Sequence, residues 1–174
     1  MPRNALILFL TGVAALTAAE LRVTSGSVRP GEEVELAVEL QGGNKQIASL
    51  DIELTYDTTN LDLSASPSRG SLRAHKILTT SISPRNAVRL LLVGSSRIPL
   101  PDGSVISLTV SPKEGITGSF PIRISAATAT ALSEKTIPLT SRNGTLVASK
   151  SAKSEEEREL EQLKSEKVEA EKQK

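Results

Sequence analysis

From 33 to 40 the chain alternates: Val34, Leu36, Val38 and Leu40 are apolar, and Glu33, Glu35, Ala37 and Glu39 stand between them. A period of two sends the first set to one face of a strand and the second set to the other, so the pattern predicts a half-buried β-strand. Arg29-Pro30-Gly31-Glu32 before it reads as a turn, with proline setting one φ and glycine relieving the next position. Gln41-Gly42-Gly43-Asn44 closes the strand. A second alternation follows, with Ala48, Leu50, Ile52, Leu54 and Tyr56 facing one way and Ser49, Asp51, Glu53 and Thr55 the other. Further strands are predicted over 77–82, 88–93, 105–110, 120–125 and 145–148. Between them lie the breaker clusters Ser66-Pro67-Ser68-Arg69-Gly70, Pro99-Leu100-Pro101-Asp102-Gly103, 112–118 and Arg142-Asn143-Gly144. Helical periodicity is absent from 21 to 147, and no segment repeats another at a fixed period. Short strands separated by turns of this kind predict an all-β sandwich or barrel.

The two ends differ from this pattern. Residues 5–16 are an apolar run preceded by Arg3 and followed by Thr17, Ala18 and Ala19, which is the pattern of a secretory signal peptide. The run is shorter than the roughly 20 apolar residues that span a bilayer. Residues 1–19 are therefore expected to be removed, with cleavage after Ala19, leaving a soluble exported chain with no transmembrane segment. No cysteine follows for lipid attachment, and none is available to cross-link the fold. At the other end, residues 149–174 hold no glycine, proline or aromatic residue and are rich in Glu and Lys. Leu160 and Leu163 follow a heptad for little more than one repeat, so a charged, partly helical or disordered tail is expected. Residues 20–148 remain as one domain.

Composition narrows the chemistry. The formal net charge is +1, and the charges of 20–149 are scattered singly. Nucleic-acid binding calls for a basic stripe with stacking aromatics, and neither is present. Once the signal is gone, Tyr56 and Phe120 are the aromatic residues left. The single histidine, His75, stands beside Arg73 and Lys76 in a predicted loop, away from the clustered donors a metal site needs. Glu32, Glu33, Glu35 and Glu39 read as the wet face of a strand rather than as a catalytic carboxylate pair. Asn143-Gly144-Thr145 matches a glycosylation sequon but reads first as a tight hairpin turn. No nucleophile–base pair and no Gly-rich phosphate loop is found. No catalytic residue, cofactor or metal ligand is assigned, and the expected function is binding.

Several of these motifs stand in a specific order. The segment 47–57, with Ala48, Asp51 in mid-strand and Tyr56-Asp57 at its end, continues into Leu61-Asp62-Leu63. It resembles the third-strand region of cohesin domains. Upstream, Val28-Arg29-Pro30-Gly31 resembles the opening turn of that family; downstream, Pro101-Asp102-Gly103 and Asn143-Gly144-Thr145-Leu146-Val147 resemble its Asp-Gly turn and its closing strand. The resemblance covers roughly 21–147. It implies a nine-stranded jelly-roll β-sandwich, and a non-catalytic module that docks a dockerin-like protein in extracellular or envelope assemblies of bacteria that degrade polysaccharides. The chain carries no Asp-x-Asp-x-Asp-Gly calcium loop, so it is not itself a dockerin. One departure stands out: cohesins that recognise dockerins often place an acidic residue just after the strand corresponding to 88–93, and here Gly94-Ser95-Ser96 takes its place.

The strand at 88–93 is apolar in both phases. If Val88, Leu90 and Leu92 face the core, Leu91 and Val93 face out, beside Ser49, Asp51 and Glu53 of the neighbouring strand pattern. Ser49, Asp51, Glu53, Arg89, Leu91 and Val93 are therefore the candidate partner-binding residues, apolar in the middle with Asp51 and Arg89 at the rim. A carbohydrate-binding module of the same sandwich class, taking polysaccharide, and a structural or adhesive envelope subunit are the alternatives. The first is disfavoured because Tyr56 and Phe120 both fall in phase with core positions.

Overall fold

The computed structural model describes residues 19–42, 46–83 and 87–150. The expected signal segment before Ala19 and the tail beyond Lys150 lie outside them. The strands are β1 (Ala19–Val23), β2 (Gly26–Val28), β3 (Val34–Gln41), β4 (Ile47–Thr55), β5 (Leu61–Pro67), β6 (Ile77–Ser83), β7 (Ala87–Val93), β8 (Gly103–Pro112), β9 (Gly118–Ala131), β10 (Thr136–Ile137), β11 (Leu139–Arg142) and β12 (Gly144–Ala148). One helix, α1 (Arg69–Arg73), joins β5 to β6. Five strands form a sheet in the order β11-β1-β3-β8-β5. Seven form the other, in the order β2-β12-β9-β4-β7-β6, with β10 against β9. The twelve segments exceed the nine strands that the resemblance implies, because β2, β10 and β11 are pieces of two to four residues.

The core lies between the sheets and is aliphatic. Leu36, Val38 and Leu40 of β3 point in, while Glu33 and Glu35 are exposed and Glu39 pairs with Arg22 on β1. Leu50, Ile52 and Leu54 of β4 meet Leu90 and Leu92 of β7, and all five are fully buried. Burying one such side chain stabilises the fold by about 1.5–3 kcal/mol. With no disulfide available, this burial carries the stability. Tyr56 and Phe120 pack against the same cluster at its margins.

The turns do what their residues predict at two of the marked positions. Gly31 and Gly103 have φ of 83° and 99°, which a side chain would strain. Asp102 Oδ1 accepts the Gly42 amide at 2.7 Å, tying the start of β8 to the end of β3. The Tyr56-Asp57 pair is a second such device. The Asp57 carboxylate accepts the Thr59 and Asn60 amides at 3.0 and 3.2 Å and the Asn60 side-chain amide at 2.7 Å. These donors hold its carboxyl below the usual carboxylate range, the Asn60 side chain most of all.

Four local expectations are corrected. First, the cluster at 66–70 is not only a breaker, because Ser68 caps α1 by accepting the Ser71 amide at 3.2 Å, and Ser71 Oγ donates to the Val105 carbonyl at 2.7 Å. Five residues are too few to show helical periodicity. Second, β4 starts at Ile47, and a bulge between Ile47 and Ser49 takes up Ala48 and turns Ile47 into the core. Third, β9 runs well past the predicted 120–125. Its first half pairs with β12 and its second with β4. Fourth, Asn143-Gly144 is not a hairpin: β11 belongs to one sheet and β12 to the other, and the pair carries the chain across. The Asn143 side-chain oxygen accepts the Ile124 amide at 3.0 Å. A Cβ on Gly144 would collide with the Thr24 carbonyl and Val23.

Candidate functional site

The outer face of the seven-stranded sheet is set by the phase of β4 and β7. Because Leu50, Ile52 and Leu54 point inward, Ser49, Asp51 and Glu53 point outward and are half-buried. On β7, Leu90 and Leu92 are fully buried, Arg89 is exposed, and Leu91 and Val93 are half-buried outside the core cluster. The six sequence-derived candidates share one face.

Register then brings them together. Asp51 lies opposite Leu91, and Glu53 opposite Arg89. The row through Leu91 and Asp51 continues to Thr79 on β6 and Thr128 on β9. The row through Arg89 and Glu53 continues to Ser81 and Ala126. One step along, Val93 lies beside Ile77, and Ser49 beside Thr130. Ile77, Thr79, Ser81, Ala126, Thr128 and Thr130 are additions that the sequence reading did not assign to the face. The alternating Ala-Thr run of 127–131 was the signal that could have placed the last two.

The charges are arranged differently from the expected rim. Arg89 Nε donates to Asp51 Oδ1 at 2.8 Å, and its second nitrogen bonds Oδ2, so the two form a bidentate ion pair on adjacent strands within the face. The hydrogen bond from Arg89 holds the Asp51 carboxyl below its usual range, and the reciprocal bond raises the guanidinium. Glu53 is held by hydroxyls: Ser125 Oγ donates to one carboxylate oxygen at 3.1 Å, and Ser83 Oγ to the other at 3.4 Å. The face thus combines half-buried aliphatics, a ring of hydroxyls and charges already oriented.

Gly94, just past β7, has a structural reason. Lys76 is almost fully buried, and its ammonium donates to the Ser96 carbonyl at 3.1 Å. Burial lowers its pKa from the ordinary lysine value. Its stem crosses Gly94, where a Cβ would lie 3.1 Å from Lys76 Cδ and collide with the His75 carbonyl. A side chain at 94 would therefore force the backbone at His75 to shift. His75 itself is exposed, at φ 55°. Among the described residues, no group of three or more His, Cys, Asp or Glu is placed to hold a metal ion, and no helix is long and apolar enough to cross a membrane.

The two sheets make a β-sandwich with a mixed apolar and polar outer face on its seven-stranded sheet. The cohesin domain model matches residues 19–147, and the chain belongs to the cohesin family. Solved structures agree on the fold. The sixth cohesin of scaffoldin B from Acetivibrio cellulolyticus, solved with a Cel5 dockerin mutant, is 20% identical with a TM-score of 0.67, covering 76% of this chain and 100% of that one. The OlpA cohesin of Clostridium thermocellum, in complex with a dockerin, is 14% identical with a TM-score of 0.68 over the same shares. A non-cellulosomal cohesin from Archaeoglobus fulgidus is 12% identical with a TM-score of 0.65, covering 76% of this chain and 92% of that one. A comparison with curated proteins finds no match.

Proposed function

We propose that this chain is an exported, non-catalytic cohesin module that docks a dockerin-like protein on the outer face of β4 and β7. The observation that carries this reading is the row Thr79–Leu91–Asp51–Thr128, which runs level across four strands. Half-buried Leu91 and Val93 supply apolar surface that a partner can desolvate, and the surrounding hydroxyls and the Asp51–Arg89 pair supply a polar setting that fixes orientation. Relatives solved with dockerins support the partner class. The aromatics favour a protein over a sugar, because Tyr56 and Phe120 are partly buried against the core rather than set on the outer face of β4 and β7.

Export follows from residues 1–19, and the surroundings are extracellular or periplasmic. Calorimetric titration of the exported chain with dockerin modules, repeated with Leu91→Asp, tests the reading. Saturable binding that the substitution abolishes supports it. Binding that survives Leu91→Asp moves the site to the loops at the sandwich ends.

A further inference from the structure

β6 ends the seven-stranded sheet, and no strand flanks its far side among the described residues. Its seven residues, Ile-Leu-Thr-Thr-Ser-Ile-Ser, include no charge and no proline. Its pairing with β7 runs without a bulge. The other sheet edges are guarded: β5 carries Asp62 and ends at Pro67, β11 carries Arg142, and β2 is three residues long. Soluble proteins guard edges in these ways because open backbone groups recruit another strand. The inner side of β6 is also open. Ile82 points toward the core side yet is 85% exposed, and with Tyr56, Leu63, Ala65 and Val88 it lines a groove of about 440 Å³ at the β5–β6 margin.

We propose that the β6 edge pairs antiparallel with β6 of a second copy of this chain, joining the two seven-stranded sheets into one. The strand is self-complementary about its midpoint, Thr80. In that register Leu78 of one copy faces Ile82 of the other on the inner side, Thr79 faces Ser81 on the outer side, and Thr80 faces itself. Over the central five residues apolar meets apolar and hydroxyl meets hydroxyl, while at each end Ile77 faces Ser83. No charge meets its like, which is the condition a twofold strand pair has to satisfy. The exposed Ile82 gains an apolar neighbour on the side away from Val88. Antiparallel pairing within one sheet places the twofold axis perpendicular to that sheet, so both outer faces look the same way.

Sedimentation equilibrium on the full exported chain tests this with wild type, Thr80→Lys and Thr80→Glu. Thr80 is exposed, and thermal melts confirm that the variants fold. Wild type is expected to dimerise with rising concentration. Each variant alone is expected to weaken dimerisation at least about tenfold, because like charges then meet across the axis. An equal mixture of the two variants is expected to restore it. Hydrogen exchange should slow at the β6 amides on dimerisation. A wild-type chain that stays monomeric to about 1 mM overturns the proposal. So does a Thr80→Lys chain that dimerises as well as wild type, or β6 protection that arises only when a peptide from another protein is added.

Discussion

Arg89 on β7 grips Asp51 on β4 across a diagonal, although register sets Arg89 opposite Glu53 and Asp51 opposite Leu91. Its direct neighbour Glu53 accepts instead from the Ser125 and Ser83 hydroxyls. The pair is open to solvent, with side-chain exposures of 56% and 34%. It therefore orients the face more than it stabilises the fold.

Asp51→Ala is accordingly expected to cost no more than about 1 kcal/mol of stability, the range of exposed ion pairs. Because the folded carboxyl titrates below its ordinary value of 3.8, its contribution is present above that pH and is lost as pH falls through the lower folded value. Urea midpoints of wild type and Asp51→Asn should differ at pH 6 and draw together as pH falls through the lowered folded value. A gap that persists unchanged in acid would mean the side chain acts through packing instead.

Leu90 and Leu91 are neighbours with opposite surroundings. Leu90→Asp places a carboxylate in the fully buried layer beside Ile52, and is expected to destabilise by about 4 kcal/mol or more. Leu91→Asp puts the charge on the half-buried outer face opposite Asp51, and is expected to cost no more than about 1 kcal/mol. Thermal melts of the two variants check the strand phase without any partner at hand.

Position 94 and Lys76 form a third test. Gly94→Asp, which restores an acid at the departure from the family pattern, is expected to destabilise by about 2–3 kcal/mol because its Cβ meets the His75 carbonyl. Ser95→Asp, at an exposed position, should fold normally. Lys76→Ala empties the space of a buried stem and should cost about 2–3 kcal/mol, whereas Lys76→Met keeps the stem and should cost less than about 1. The lowered lysine pKa adds a sign. The folded state sheds this proton first, so stability gains a rising component as pH climbs from the folded value toward the ordinary 10.5. Lys76→Met should lack that component.

The ends of the domain give the last prediction. β12 stops at Ala148, and the Ser149 amide still donates to the Val28 carbonyl at 3.0 Å. A chain ending at Lys150 should keep its urea midpoint within about 0.5 kcal/mol of the full chain. At the start, Ala19 is buried and pairs with Leu139. Sequencing the exported protein is expected to give Glu20 first, and an exported chain that retains Ala19 should be the more stable of the two. An intact Met1 would overturn export by signal cleavage.

Those strands whose two faces meet different solvents could be read directly. In β3 and β4 the alternation of Leu with Glu or Asp is the imprint of core on one side and water on the other. β9 was half legible, because 126–131 sets only small alanines against threonines, a weaker contrast than Leu against Glu. α1 was invisible, since five residues close a single turn and its cap, Ser68, sits in a run of breakers. The outward phase of Leu91 followed from Leu90 and Leu92, but its partners did not. Which residues flank it depends on the registers of β6 and β9, and a bulge at Ala48 or a change of sheet at Asn143 shifts register without a mark in hydrophobic pattern. The Asp51–Arg89 pair was missed for the same reason: both residues were assigned to the face, and only the diagonal geometry joins them.

The first strands and the last run side by side in the same direction, β1 with β11 in one sheet and β2 with β12 in the other. In a parallel pair the leading end of one strand and the trailing end of its neighbour lie at opposite tips. A pull that separates the two ends of the domain therefore loads both ladders lengthwise, so their hydrogen bonds resist together instead of opening one after another. A module strung between a surface and a tugging partner would hold its shape under tension on this account, with no covalent cross-link to help it.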